Sequence, residues 1–424
     1  MKRLAIMLCM VLLFSVVHAQ DDDTPVSPEL TEELDQLEAT VREMRELSAE
    51  NPVIRLFPAK DEVLAYLNAL LDRELTDEYA LETTQFYRAF DFVSADFDLH
   101  TTYLALLQDQ VAGFYDTETK EMNTLLISGD ALGDSLPPIE QMIYSHEYTH
   151  ALQDQNFDLT RMNEIEDPDQ SLAMLSLVEG DAMAVMQEYT FVLLDKNPGA
   201  IVQLLAFSFS GLQALPEDTP PIMEAELTQP YIMGMDFVLA LYADGGWETV
   251  NAAYANPPQS MEQIIHPEKY LAGDFPAEVT LTPIDAFPSD GWELLLEQTL
   301  GEFYLRQYLQ TQLVPALVDR AASGWGGDRL NLYYNPVSDD RAWILRFTWD
   351  TPQDESDFMG DFQNFIGMRL GDGVTTADVG GIPCWQDADM TLAFCMTTLA
   401  GDSLVASSPL AELAAVMIAA QNND

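Results

Sequence analysis

Apolar residues recur at steps of three and four along the first quarter of the chain. Between Pro28 and Ala49 they form one stripe, which predicts an amphipathic helix: Leu30, Leu34, Leu37, Val41, Met44 and Leu47. Two further amphipathic helices are predicted over Lys60–Arg73 and Asp77–Phe90. We expect residues 20–100 to form an N-terminal helical segment. Its first part, residues 20–52, packs against the body, presents a coiled-coil-like face to a partner, or acts as a prosegment that blocks a cleft.

Two strand-like runs follow, separated by a short polar segment. The runs are Gln110–Tyr115 and Glu121–Leu126, with Asp116–Lys120 between them. Such a pattern predicts a β-hairpin. A hairpin edge can receive an extended peptide as an added strand, although an ordinary structural hairpin gives the same sequence pattern.

The next two predicted helices carry the most informative polar residues. The first begins near Pro138, and its stripe changes from apolar residues to histidines: Ile139, Met142, Ile143, His146, His150 and Gln153. The second spans about Gln170–Leu194 and is apolar around Glu179. An unpaired buried carboxylate is unfavourable, so Glu179 should face a cation or a strong hydrogen-bond donor.

Further along the chain, Pro216–Pro221 predicts a loop, and a helix is predicted to begin at Gln229 and end at Gly245–Trp247. Residues 285–424 then differ in their pattern, because strand-like and helical runs alternate there. There we predict a helix over Asp290–Ala322, followed by two strand–strand–helix units. The first unit has strands near Arg329–Asn335 and Ala342–Asp350 and a helix over Asp354–Leu370. The second has strand segments at Cys384–Trp385, Met390–Thr398 and Ser403–Ser407 and a helix over Pro409–Gln421. These units predict a small C-terminal α+β domain.

The N-terminus and the cysteines indicate an exported protein. Lys2 and Arg3 precede an apolar run that ends in a small-residue cleavage site at Ala19, so residues 1–19 resemble a signal peptide. We expect the mature protein to be secreted or located in the cell envelope. Removal of the signal leaves Cys384 and Cys395, which predict one disulfide in an oxidising compartment.

Composition narrows the range of partners. The chain of 424 residues has 71 acidic and 18 basic residues, for a net charge of −53. Nucleic acid and anionic membrane surfaces are poor partners for such a field. Hydrophobic residues make up 48% of the chain, which is typical of well-formed cores rather than disorder. The apolar runs are too short for a stable membrane anchor.

The spacing His146-Glu147-x-x-His150 points to metal chemistry. Residues i and i+4 share one face of a helix, so two imidazoles can bind one Zn²⁺, and Glu147 can act as general base. The whole chain has five histidines, and two of them occupy this spacing, which makes coincidence a poor explanation. Glu179 is our candidate for the third zinc ligand. Asp181 either orients a ligand imidazole by accepting a hydrogen bond from its other nitrogen or faces solvent.

Three segments together resemble the gluzincin zinc metallopeptidases: Gly113-Phe114-Tyr115-Asp116, His146-Glu147-Tyr148-Thr149-His150-Ala151-Leu152-Gln153 and Glu179-Gly180-Asp181-Ala182. They are most similar to poorly characterised secreted bacterial members with a Glu-Gly-x-Ala third-ligand helix. The gap before Glu179 is longer than in thermolysin-like enzymes, which argues against close kinship with those.

The resemblance implies an α+β fold, with a mainly helical, zincin-like catalytic domain over residues 101–284 and a peptide or protein substrate. It also implies zinc ligands His146, His150 and Glu179 with Glu147 as base. Gluzincins use a downstream tyrosine or histidine to stabilise the oxyanion, and Tyr231 and His266 are the candidates here. Two other functions fit the same residues: a non-catalytic extracellular module with a structural zinc site, and a zinc hydrolase acting on a non-protein substrate.

Overall fold

The computed structural model describes residues 26–110, 112–127, 132–210, 215–216, 218–284, 287 and 291–421. The predicted signal peptide lies outside these residues. Helices dominate the first two thirds of the chain and antiparallel strands the last third, so the fold class is α+β, as predicted. Among the described helices, none combines the length and the apolar character needed to cross a membrane.

The N-terminal part is helical, as its apolar stripes predict. It consists of α1 (Pro28–Arg45), β1 (Ile54–Leu56), α2 (Lys60–Glu74), α3 (Asp77–Ala89) and α4 (Leu99–Gln110). The Ser27 hydroxyl caps α1 by accepting a hydrogen bond from the Leu30 N–H. The stripe of α1 is almost completely buried, so this helix belongs to the core.

A three-stranded sheet follows, and it contains the predicted hairpin. Strands β2 (Gly113–Asp116) and β3 (Glu121–Thr124) pair in antiparallel orientation, and β1 pairs with β3 in parallel. The strand order is β1-β3-β2. Strand β2 is therefore an edge strand of the sheet as far as the structure describes it.

A helical layer then carries the candidate metal ligands. Its elements are α5 (Pro138–Phe157), a 3₁₀ turn (Leu159–Glu164), α6 (Pro168–Lys196), α7 (Ala200–Ser210), α8 (Pro221–Ala255), α9 (Met261–Ile265) and α10 (Pro267–Ala272). Helix α6 packs against both α5 and α8. The expected helix start at Gln229 was wrong, because α8 begins at Pro221, where a missing N–H has no cost, and continues through Pro230. Backbone at Gly245 and Gly246 is non-helical, which marks a kink near the predicted end.

The C-terminal part is built on one sheet of seven antiparallel strands in the order β4-β5-β6-β10-β9-β8-β7. Its elements are β4 (Glu293–Gln298), α11 (Gly301–Gln310), α12 (Pro315–Ala322), β5 (Trp325–Asn335), β6 (Asp340–Trp349), α13 (Pro352–Leu370), β7 (Thr375–Val379), β8 (Ile382–Gln386), β9 (Ala393–Leu399), β10 (Asp402–Ser408) and α14 (Ala411–Ala420). The helix expected from Asp290 was wrong at its start, because residues 293–298 pair with β5. The spacing of apolar residues in a short apolar run does not distinguish a strand from a helix. Here the pairing with β5 makes the segment a strand.

The two faces of this sheet belong to different cores. Trp343, Leu345 and Phe347 face the large core that also contains Leu30, whereas Ala342 and Ile344 face a smaller core beneath α14. The aromatic ring of Phe90 stacks on that of Trp343, with centroids 5.2 Å apart. The N-terminal helices and the C-terminal sheet therefore share one core.

The predicted disulfide is confirmed. Cys384 and Cys395 are bonded and lie directly opposite each other on β8 and β9. Both side chains are buried in the smaller core.

Candidate metal centre

The histidine pair lies in the middle of the buried helix α5. Pro138 occupies the first helical turn, and the helix ends at Asp158 in the left-handed conformation. The i, i+4 spacing brings His146 Nε2 to 3.0 Å from His150 Nε2. Both side chains are buried, with His146 6% and His150 0% exposed. The helix therefore presents two imidazole nitrogens at one buried point.

Helix α6 brings the predicted third ligand to the same point. Asp167 caps this helix by accepting hydrogen bonds from the backbone N–H groups of Asp169 and Gln170. Glu179 is fully buried, and its Oε2 lies 3.2 Å from His146 Nε2 and 3.4 Å from His150 Nε2. These three residues form a group whose candidate ligand atoms all lie within 4.8 Å of one another.

The geometry of this group fits a small tetrahedral cation. Donors about 2.1 Å from a tetrahedrally bound Zn²⁺ are separated from one another by about 3.4 Å. The observed separations are 3.0, 3.2 and 3.4 Å. Glu179 Oε1 is buried and has no hydrogen-bond partner among the described residues. Burial opposes ionisation of Glu179, but the charge of His150 and hydrogen bonds from both imidazoles lower its pKa. The group can therefore hold a metal ion.

A hydrogen-bond chain fixes the orientation of His150. The Gln153 side-chain amide donates to the Val178 carbonyl at 3.0 Å, which turns Gln153 Oε1 towards the imidazole. His150 Nδ1 lies 2.8 Å from that oxygen and must donate to it. In the neutral imidazole, His150 Nε2 then carries the lone pair that a metal ion would bind, and it faces Glu179 and His146. Partners of this kind orient metal-binding histidines and increase their basicity.

Glu147 lies beside the ligand group and is buried, with 3% of its surface exposed. Its carboxylate accepts a hydrogen bond from the backbone N–H of Tyr115 on strand β2, and its Oε2 has no partner among the described residues. Burial raises the pKa of Glu147 to about 8; the Glu179 charge adds to this, and the His150 charge and the Tyr115 N–H partly offset it. A carboxylate with a pKa near neutrality suits proton transfer.

Strand β2 approaches helix α5 closely at Gly113. A Cβ atom at this position would lie 2.9 Å from Ile143 Cγ2 and 3.1 Å from Glu147 Cγ. Contacts this short require the neighbouring side chains to move. Gly113 therefore allows the edge strand to lie directly against the part of α5 that carries Glu147.

The two candidates for the oxyanion donor lie in different surroundings. The Tyr231 ring stacks on the His146 ring, with centroids 6.1 Å apart and an interplanar angle of 22°. His266 Nε2 lies 3.2 Å from Glu302 Oε1 on α11, and its Nδ1 lies 3.7 Å from Glu268. The structure brings Tyr231 against a metal-ligand candidate, whereas the described contacts of His266 connect the α9–α10 junction to α11.

Asp181 is buried rather than solvent-facing, and it does not contact an imidazole among the described hydrogen bonds. Its Oδ1 accepts from Arg45 Nε at 2.7 Å, and its Oδ2 accepts from the Tyr254 hydroxyl at 2.7 Å. The position expected for Asp181 beside a histidine is taken by Gln153. Residues i and i+2 of a helix point in different directions, which separates Asp181 from Glu179.

Two contacts at the site were not predicted. Gln153 lies on the histidine stripe of α5, so its position three residues after His150 was the available signal. The Tyr115 backbone N–H gave no signal, because the contact depends on how the hairpin packs against α5.

Comparisons with known proteins cover the C-terminal sheet alone. The sequence profile of a family described as a domain of unknown function (DUF8575) matches residues 293–417. This match runs from strand β4 into α14 and includes none of the candidate metal ligands. No curated protein matches the chain. No solved structure matches it either.

Proposed function

We propose that the protein is an exported, zinc-dependent metallohydrolase of the gluzincin type, with a peptide or protein substrate. The observation that carries the proposal is the convergence of His146, His150 and Glu179 at one buried point beside Glu147. Two imidazoles and one carboxylate are a ligand set typical of catalytic zinc. The region around α5 and α6 would then form the zincin-like catalytic part.

The number of ligands supports catalysis over a purely structural site. The group contains three His, Cys, Asp or Glu residues within the part of the chain that the structure describes. Structural zinc sites have four protein ligands, whereas catalytic sites have three and keep a position for water or substrate. This favours the enzyme over the non-catalytic module.

Glu147 would act as the general base. When bound, Zn²⁺ supplies Lewis acidity towards water and the substrate carbonyl. Glu147 has an unpartnered buried oxygen beside the ligand group, so its carboxylate can accept a proton from the attacking water and transfer it to the leaving amine. The Tyr115 N–H holds the carboxylate in place during this transfer.

The edge strand supports a peptide as substrate. Strand β2 ends the order β1-β3-β2 and contacts the metal helix through Gly113 and Tyr115. An extended chain that pairs with the other backbone groups of this edge would lie beside Glu147, which already accepts the Tyr115 N–H.

Tyr231 is the better supported donor to the oxyanion. Its ring already lies against His146, whereas His266 is held by Glu302. A phenol hydroxyl near the reacting carbonyl can stabilise the charge that develops on its oxygen. We therefore assign this role to Tyr231 in the proposed mechanism.

Export is part of the same proposal. The residues resembling a signal peptide and the buried Cys384–Cys395 disulfide both support an oxidising compartment.

Metal analysis tests the zinc site directly. The mature chain, purified and dialysed against zinc-free buffer, should retain one zinc ion per chain in native mass spectrometry. The His146→Ala/His150→Ala double variant should retain none. A wild-type chain without zinc, or zinc retained by the double variant, would refute the proposal.

A further inference from the structure

Helices α6 and α8 cross with their backbones in direct contact. A Cβ atom at Gly180 would lie 2.0 Å from the Gly234 carbonyl carbon, and one at Gly234 would lie 1.9 Å from the Ser176 carbonyl oxygen. Separations below 3.0 Å require backbone movement when the neighbour is backbone. Both helices are buried at the crossing. Glycine at positions 180 and 234 is therefore a condition for this approach.

The crossing lies at the metal centre on both helices. On α6, Ser176 and Gly180 bracket Glu179 within one helical turn. On α8, Tyr231 precedes Gly234 by three residues and stacks on His146. One backbone contact therefore joins the turn that carries the third ligand candidate to the turn that carries the candidate oxyanion donor.

We propose that Gly180 and Gly234 are positioning residues of the metal centre: their contact sets the register between Glu179 on α6 and Tyr231 on α8. This inference rests on the proposed zinc site. A methyl group at position 234 would displace α8 from the Ser176–Gly180 turn. Glu179 would then lose its fixed distance to the histidines, and Tyr231 would lose its contact with His146.

The Gly234→Ala variant tests the inference through metal affinity. Zinc affinity, measured by competition with a chromophoric chelator, should fall on the order of 10-fold, as for groups that hold metal ligands in place. The matched control is Gly360→Ala, because Gly360 also lies within a helix and nothing lies within 4 Å of its added Cβ. The control should bind zinc like the wild type. Wild-type affinity in folded Gly234→Ala would overturn the inference.

A double variant separates positioning from general damage. If Gly234 acts on turnover through Tyr231, Gly234→Ala should lower kcat in the wild-type background but have little further effect in a Tyr231→Phe background. Equal losses of kcat in both backgrounds would contradict an action through Tyr231. The change in kcat thus tests the positioning of Tyr231, and it is measured separately from the change in zinc affinity.

Hydrogen exchange of the full wild-type chain provides a readout that needs no variant to fold. The α8 turn around Gly234 contains no proposed metal ligand, so zinc can protect its amides only through its contacts with neighbouring elements, which are the α6 crossing and the stacking of Tyr231 on His146. We expect zinc to slow exchange in residues 232–238 and to leave the α13 amides around Gly360 unchanged. Zinc binding without protection of residues 232–238 would overturn the inference alone. A wild-type chain that binds no zinc would overturn the proposed function as well.

Discussion

Arg45 Nε lies 2.7 Å from Asp181 Oδ1, and both side chains are completely buried. The guanidinium also packs on the Trp247 ring, with its carbon 4.2 Å from the ring centroid. Asp181 lies two residues after Glu179, so this ion pair joins α1 to the helix that carries the third ligand candidate. The contact supports α1 as a permanent part of the body and argues against a removable prosegment.

The variant Arg45→Met should destabilise the protein by about 3–5 kcal/mol, because it leaves the Asp181 carboxylate buried without its charged partner. Urea unfolding followed by circular dichroism measures this change. Arg329→Met, which removes an exposed ion pair with Glu297, should cost about 1 kcal/mol or less. Equal losses of unfolding free energy in the two variants would show that the buried ion pair stabilises the fold no more than the exposed one.

Truncation tests α1 as a whole. A chain that begins at Val53 lacks the fully buried Leu30, Leu34 and Val41 as well as Arg45. We expect it to lose its cooperative thermal transition, because the remaining core would be open to water. A truncated chain that melts like the full mature chain, or gains activity, would restore the prosegment interpretation.

Gln153 should control zinc affinity without binding zinc. The variant Gln153→Met removes the hydrogen bond to His150 Nδ1 and should weaken zinc binding about 10- to 100-fold. Gln155→Met is the control: Gln155 lies on the same helix but accepts hydrogen bonds from Glu50 and Asn51, away from the histidines. Chelator competition distinguishes the two variants, and similar affinities in both would exclude the orienting role.

Glu226 should make the free energy of unfolding depend on pH, and this effect does not involve the metal centre. Burial raises the pKa of Glu226 from 4.5 to about 7, although the Tyr87 and Tyr304 hydroxyls donate to its carboxylate and oppose the shift. The folded state thus favours the protonated acid, and its contribution to stability is lost as pH rises from about 4.5 to about 7. Between these limits, the stability of Glu226→Gln relative to wild type should increase by about 3 kcal/mol. Parallel curves of unfolding free energy against pH would contradict this origin.

Local sequence patterns predicted the helices and the hairpin whose structure is determined within a single segment of the chain. The i, i+4 histidines and the isolated carboxylate at Glu179 identified the candidate ligand group, because a charged residue is conspicuous in an apolar helix. The ion pair between Arg45 and Asp181 gave no comparable signal, because its partners lie 136 positions apart and no local pattern contains both. Strand β4 was mistaken for helix because its pairing with β5 lies outside any local window. The features that sequence reasoning missed therefore depend on contacts between segments far apart in the chain.

The most direct test of the central claim compares the wild-type mature chain with Glu147→Gln for both zinc content and peptide hydrolysis. The substitution keeps the shape of the side chain but removes the proton acceptor, so zinc should stay at one ion per chain while hydrolysis of a mixed peptide library falls at least about 10²-fold. The exposed Glu164→Gln should behave like the wild type in both assays. Hydrolysis by Glu147→Gln at the wild-type rate, or a zinc-loaded wild-type chain that cleaves no peptide in the library, would contradict the proposed function.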